Sequence, residues 1–220
     1  MNFIVFLGAP GSGKGTQAQM LASEYNLEHI STGQLIRDEI KESTEFGFRL
    51  ERECLSGNLI STEDIFNLLG KKIKELSIDR QVILDGFPRT LDQAKLLKDF
   101  TEKTGNQLEK VVCFDIAGEA LIERLTGRFM CADCGAVYHK HHNSPQQDGV
   151  CDFCGSENFQ VRPDDAEEVV KKRLDVFHEE TKPLVSYYDA QGVLFRLDAT
   201  QSVESIKKTL LKNIKLVAAE

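Results

Sequence analysis

An apolar run, Phe3 to Leu7, gives way at once to Gly8-Ala9-Pro10-Gly11-Ser12-Gly13-Lys14-Gly15-Thr16. The order reads as a buried strand turning through glycines into a helix, which makes a cradle for phosphate. Glycines let the backbone curl until several N–H groups face one anion, the helix N-terminus adds partial positive charge, and Lys14 adds a full one. The phosphate-loop pattern asks for Gly, four residues, Gly-Lys and then Ser or Thr, and Gly8 to Lys14 meets all but the last position. Gly15 stands where the hydroxyl belongs and Thr16 comes one residue late, which puts direct hydroxyl ligation of magnesium in question. A glycine turn that only joins strand to helix is the plainer alternative, yet it gives Lys14 no packing role.

The rest of the chain alternates strand and helix signals, as a parallel sheet covered by helices does. Strands are predicted at 2–7, 27–30, 81–84, 110–115 and 193–197, and helices at 14–25, 32–42, 46–55, 62–76, 91–104, 119–125, 165–180 and 202–217. Asp164 followed by Glu167 has the spacing of a capping box, with Pro163 before it, and so starts the helix at 165. Pro183 is expected to break or kink the chain beyond that helix. A chain of 220 residues can bury one large core carrying a small insertion. It has no apolar run of about 18 residues, and its first residues lack the positive flank of a secretion signal, so a cytosolic protein is expected. A net charge of −8 argues against general binding to nucleic acid or anionic membrane, and any bound polyanion must be met by local cations.

From about 127 to 162 the apolar periodicity fades into a loop-rich insertion that cannot build a core of its own. Cys131-x-x-Cys134 and Cys151-x-x-Cys154, sixteen residues apart, have the spacing of a four-thiolate zinc ribbon. Two disulfides are the competing reading and do not suit a chain without a secretion signal. Four thiolates close a tetrahedral shell, so the ion is structural; iron can take the same ligands. With the shell full, His139, His141 and His142 are expected as exposed loop residues, and Cys54 and Cys113 as packing residues. Between Phe129 and Phe159, Lys140 is the only Lys or Arg, against Asp133, Asp148, Asp152 and Glu157, the wrong balance for a nucleic-acid knuckle. The insertion reads instead as a lid that folds over a bound nucleotide and excludes water.

A second constellation, Asp85-Gly86-Phe87-Pro88-Arg89-Thr90, closes the apolar run Val82 to Leu84. A carboxylate at the C-terminal end of a strand beside the phosphate loop is placed to reach magnesium, often through water, which makes Asp85 the candidate. A simple turn aspartate is the competing reading, since Asp-Gly is a common turn pair. Arg89, after Phe-Pro at the strand end, points into the crevice where ligands bind in such sheets.

The run from Gly8, Ser31-Thr32-Gly33 followed by Arg37, the run Asp85 to Thr90, Arg124 and Arg128 before the insertion, and Arg162-Pro163-Asp164-Asp165 with Arg173 after it together resemble adenylate kinase. The resemblance runs nearly end to end and is to the long-lid bacterial form whose lid carries zinc. It implies a three-layer α/β/α fold of the P-loop nucleoside monophosphate kinase kind. A core of 1–30, 61–126 and 163–220 would carry an inserted AMP-binding region, 31–60, and a zinc-binding lid, 127–162. It implies a monomer that transfers the terminal phosphoryl group of ATP to AMP, reversibly and with magnesium, giving two ADP for adenine nucleotide homeostasis. In the family magnesium is held mainly by nucleotide oxygens and waters, so Gly15 is no defect.

Position by position, the resemblance implies that Gly11, Ser12, Gly13, Lys14, Gly15 and Thr16 hold the ATP phosphates, and that Arg128, Val137, Tyr138 and the backbone of Gln201 frame its adenosine. AMP would lie against Thr32, Arg37, Asn58, Leu59, Ile60, Gly86, Phe87, Pro88, Arg89 and Gln93, with Gln93 reading the adenine edge. Lys14, Arg89, Arg124, Arg162 and Arg173 would serve the transfer, Arg162 and Arg173 gripping phosphates as the lid shuts. Gln34 stands where the family usually has aspartate, and Gln201 where some members have lysine.

The arginines also make sense chemically. Transfer between two polyanions needs in-line alignment and cancellation of charge repulsion, and the acceptor phosphate is already a nucleophile, so no general base is required. Planar guanidinium groups grip two oxygens at once. Any one of these arginines alone reads as a surface charge, and Arg173 stands out from the run 171–173 only through the resemblance. A kinase with a GTP donor or pyrimidine acceptor, and a zinc-ribbon nucleic-acid-binding NTPase, are the alternatives; Gln93 and the Thr32 pocket favour AMP, and the acidic lid disfavours the latter.

Overall fold

The computed structural model describes residues 1–77 and 80–216. Strand β1 (Asn2–Gly8) leads through the glycine loop into α1 (Lys14–Tyr25), followed by β2 (Glu28–Ser31), α2 (Thr32–Lys41), α3 (Glu45–Ser56) and α4 (Thr62–Lys74). Then come β3 (Gln81–Asp85), α5 (Leu91–Thr104), β4 (Gln107–Asp115) and α6 (Gly118–Thr126). The insertion holds β5 (Arg128–Cys131), β6 (Val137–His139) and β7 (Phe159–Gln160), and the chain closes with α7 (Glu167–Val176), α8 (Pro183–Asp189), β8 (Leu194–Asp198) and α9 (Val203–Asn213).

Five strands pair in parallel in the order β2-β3-β1-β4-β8. Successive side chains of a strand point to opposite faces, and β1 sorts accordingly. Phe3, Val5 and Leu7 enter one core with Ile36, Leu50, Leu68, Leu97 and Leu184, while Ile4 and Phe6 enter another with Leu21, Ile206 and Leu210. Helices α2, α3, α4, α5 and α8 therefore cover one face and α1 and α9 the other, giving the expected three-layer α/β/α arrangement. From β1 the chain passes to β2 on one side and, after β3, crosses to β4 on the other side of β1, and ligands bind such sheets at that switch point, beyond the carboxyl ends of the strands. The insertion folds as a separate antiparallel sheet in the order β6-β5-β7.

Three expectations change. The Asp164–Glu167 capping box is not made: Pro163–Asp165 forms a single 3-10 turn, and α7 starts at Glu167 behind Ala166 with no side-chain cap. Asp164, the carboxylate that would have capped, is drawn to Arg173 instead, and Glu167 pairs with Lys171. Pro183 does not end the helical run, because α7 widens into a π-helical turn, Phe177–Thr181, where Lys182 N–H donates to Phe177 O at 2.8 Å, and Pro183 then occupies the first turn of α8, where a missing N–H costs nothing. Thirdly, His139 is buried rather than exposed. The last helix ends at Asn213, and the predicted end at Val217 lies outside the described residues. Among the described residues no helix is long and apolar enough to cross a membrane.

Candidate active site

The loop after β1 takes its shape from glycines at positive φ, +82° at Gly11 and +91° at Gly13, where other residues are strained. Lys14 turns back into it: its ammonium donates to Gly8 O and Ala9 O, both at 2.8 Å, and to the buried Ser12 Oγ at 3.1 Å. Burial lowers the Lys14 pKa to about 8, with Arg89 and Arg173 adding to the fall and Asp85 opposing it. The cation is thus held in the cradle and is readily released by an anion that brings its own charge.

Asp85 ends β3, next to β1 in the sheet. A Cβ at position 15 would lie 3.2 Å from Asp85 Oδ2, so Gly15 is what lets this carboxylate reach the edge of the cradle. His29 Nε2, from β2, stands 3.5 Å from the same oxygen. Burial pushes Asp85 up, but His29, Lys14 and Arg89 outweigh it and hold the carboxyl below the ordinary range, so Asp85 is ionised.

Arg89 is fixed on three sides. Its Nε donates to Gly86 O at 2.8 Å, its N–H donates to Gln93 Oε1 at 2.8 Å, and its carbonyl accepts from Thr181 Oγ1 at 2.8 Å. Burial, then the nearby Arg173, lowers its pKa, as expected of a guanidinium kept from water beside another. Gly86, at φ +82°, admits no side chain, because a Cβ would come within 2.7 Å of Thr32 Oγ1. That hydroxyl donates to Gly86 O at 2.9 Å, tying α2 to the end of β3. Phe87 is buried in the core, where its ring lies 6.5 Å from that of Phe66, so its backbone is the part that can face a ligand.

Beside Arg89 opens a pocket of about 370 Å³ lined by Asn58, Leu59, Ile60, Ser61, Thr62, Thr90, Gln93, Val176, Glu179 and Glu180. Asn58 to Ile60 and Gln93 were expected here. Ser61, Thr62 and Thr90, which flank expected residues, and Val176, Glu179 and Glu180 were not; Val176 ends α7 and the two glutamates lie on the π turn, which no local pattern announces. Thr181, the anchor of the Arg89 carbonyl, comes from the same turn.

The remaining cations arrive with the lid and α7. Arg128 grips the fully buried Asp165 with two bonds, Nε to Oδ2 at 2.7 Å and Nη2 to Oδ1 at 2.6 Å. Arg173 Nη1 meets Asp164 Oδ2 at 2.7 Å and Asp165 Oδ1 at 3.3 Å. Burial raises Asp164, but Arg173, Arg128, Arg162 and Arg37 together carry it below the usual carboxylate range. Arg162, with Nε 3.3 Å from Met130 Sδ, is lowered to about 9 by burial, Arg128 and Arg37, and remains charged at neutral pH. Arg37 reaches the same neighbourhood from α2. Arg124 stands slightly apart, donating from Nη1 to Ala199 O at 3.1 Å in the loop that leads to Gln201. Tyr138 packs its ring between Phe129 and Phe159, and its hydroxyl lies 3.4 Å from Cys151 Sγ and accepts from Asp152 N–H at 2.8 Å, so its side chain is engaged within the lid.

In the lid the four thiols converge. The Sγ atoms of Cys131, Cys134, Cys151 and Cys154 all lie within 4.8 Å of one another, with Cys131–Cys154 at 3.6 Å and Cys134–Cys151 at 3.5 Å. A tetrahedral ion with metal–sulfur bonds of about 2.3 Å needs sulfur–sulfur edges of about 3.8 Å, so the cluster fits such an ion with little adjustment. The two knuckles are built alike: Gly135 N–H donates to Cys131 O at 3.0 Å and Gly155 N–H to Cys151 O at 2.9 Å, each glycine at positive φ. The histidines take no part. His139 Nδ1 accepts from the N–H groups of His141 and His142, so its Nε2 carries the proton and donates to Glu123 O at 3.2 Å. Burial pushes its pKa down, and the neutral ring seals the joint between α6 and the lid, where a Cβ on Gly127 would collide with it.

Comparison with known proteins agrees with this geometry. The adenylate kinase family matches residues 6–193. The chain is 39% identical over 209 residues to the adenylate kinase of Caldicellulosiruptor bescii, covering 95% of this chain and 97% of that one. It is 41% identical to that of Methanosarcina barkeri, covering 94% of each. It is 42% identical to that of Caldanaerobacter subterraneus subsp. tengcongensis, covering 94% of this chain and 96% of that one.

Proposed function

The chain belongs to the adenylate kinase family, catalysing ATP + AMP = 2 ADP, and from that premise we propose how its residues share the reaction. The backbone from Gly11 to Thr16 and the ammonium of Lys14 seat the donor phosphates. Arg128, Val137 and Tyr138 from the lid, and the loop at Gln201 that Arg124 braces, frame the donor adenosine. Thr32, Arg37, Gly86 to Arg89 and the pocket of Asn58 to Ile60 seat AMP. Because Gln93 Oε1 is taken by Arg89 N–H, its amide nitrogen is the group left to read the acceptor base.

Facing each other, the nucleotides bring an acceptor phosphate oxygen in line with the terminal phosphorus of ATP. The new P–O bond forms as the bond to the bridging oxygen breaks, and ADP leaves on each side. Arg89, Arg162 and Arg173 cancel the charge on the transferring group, and no protein base is used. Ionised Asp85, at the edge of the cradle, would hold magnesium, which supplies charge neutralisation at the donor phosphates. The four lid thiolates would hold zinc as a structural ion; their closed shell leaves no place for substrate.

The observation that carries this reading is the convergence of part-buried cations from the glycine loop, α2, the β3 end, the lid and α7 on one crevice. One chain supplies both pockets, so the enzyme is proposed to act as a monomer in the cytosol. A coupled assay across nucleotide pairs tests the assignment: Arg37→Ala should raise KM for AMP with KM for ATP nearly unchanged. Equal effects on both nucleotides would break the division into donor and acceptor pockets.

A further inference from the structure

The side chain of Tyr138 runs from β6 to the edge of the cysteine cluster. It is buried, with its ring stacked on Phe129 at a centroid distance of 5.7 Å and meeting Phe159 edge-on at 5.5 Å. Packing by two aromatic rings leaves the phenol little freedom, and it sets the hydroxyl 3.4 Å from Cys151 Sγ.

The direction of that contact follows from a second bond. Asp152 N–H donates to the same oxygen at 2.8 Å, which occupies a lone pair of the hydroxyl and leaves its hydrogen free to turn toward the sulfur. A cysteine that holds a metal does so as a thiolate and has no hydrogen of its own to give, so the phenol is the donor. Among the described residues Cys151 is the only one of the four sulfurs within hydrogen-bond reach of a hydroxyl.

That donor answers an electrostatic need. Four thiolates around a divalent ion leave a net charge of about −2. Cys131 and Cys151 are buried, so water does little to solvate their sulfurs, and between Phe129 and Phe159 the chain offers one cation, the exposed Lys140. A hydrogen bond from a neutral group spreads the thiolate charge and orients the ligand that carries it.

We propose that Tyr138 is a positioning residue for the lid metal: its hydroxyl donates to the Cys151 thiolate, strengthens metal binding and ties the second knuckle to β6. The inference rests on the reading of the four thiolates as a zinc site. The phenol thereby links the ion to the same strand that is proposed to frame the donor adenosine.

Tyr138→Phe keeps the ring and removes the hydroxyl alone. Titration of the zinc-loaded full chain with a chromophoric chelator should show zinc held about tenfold more weakly in the variant than in the parent, as expected when a partner of a metal ligand is lost. With Co2+ in place of zinc, the sulfur-to-metal charge-transfer band of the variant should move to lower energy, because the sulfur lone pair is no longer stabilised by a donor. A merely structural role for Tyr138 weakens binding without moving that band.

A band at the parent's energy therefore overturns the proposal whatever the affinity does, and unchanged affinity overturns it as well. A parent chain that takes up neither zinc nor Co2+ at one ion per chain removes the metal reading itself, and the role of Tyr138 with it.

Discussion

Asp165→Asn is the change whose cost the structure fixes best. The carboxylate is fully buried and takes two short bonds from Arg128, at 2.7 and 2.6 Å, and a longer one from Arg173 at 3.3 Å. Removing one partner of a buried pair costs about 3–5 kcal/mol, mostly because a charge is left without its counterion. Arg128 keeps 16% of its side-chain surface in contact with water, so the lower end, about 3 kcal/mol, applies. For a chain of this size each kcal/mol moves the melting temperature by about 2–4 °C, which gives a fall of about 6–12 °C. Calorimetry at neutral pH reads this directly. Adding Arg128→Met to the variant should recover part of the loss, because no buried charge then remains unpaired. A fall below about 2 °C in the single variant would mean that the ion pair is not formed in solution.

Other outcomes concern the cradle, the lid and the β3 end. Lys14 titrates near pH 8 in the free enzyme, so kcat/KM for ATP should fall about tenfold per unit above that pH, with kcat/KM for AMP at saturating ATP insensitive. Since burial penalises the charged form, losing that proton relieves the folded state, and the melting temperature should not drop across the same window; a parallel drop would point to unfolding. Stripping the lid metal with a chelator should lower the melting temperature by several degrees and leave residual activity, whereas full inactivation with unchanged melting would make the ion catalytic. Arg89→Lys should depress kcat by about a hundredfold or more, because the fork that bonds Gly86 O while facing the phosphates is lost; near-normal turnover would remove Arg89 from the reaction.

Much of this was legible along the chain. The alternation in β1, the glycine loop and the paired cysteine knuckles are local patterns, and each specifies its own geometry. The features that escaped depend on partners distant in sequence. Asp164 and Glu167 have cap spacing, yet Arg173 and Arg128 hold Asp164 and Asp165, and a charge-assisted pair in a buried setting outweighs a helix cap. His139 sits in a polar run that reads as surface, but its two ring nitrogens are satisfied by the His141 and His142 amides and the Glu123 carbonyl, which permits burial. The π turn leaves no signature in residue type, so Glu179, Glu180 and Thr181, and Val176 just before it, carry no sign along the chain of their places at the pocket or at Arg89. Gly15 was legible as a departure, and its cause, the approach of Asp85, only in three dimensions.

Inhibition by two adenosines joined through a phosphate chain long enough to span both pockets tests the arrangement most directly. Competition against ATP and against AMP, with one molecule bound per chain, is the predicted result. Competition against one nucleotide alone would show that the cations form a single pocket, and would contradict transfer between two nucleotides seated face to face.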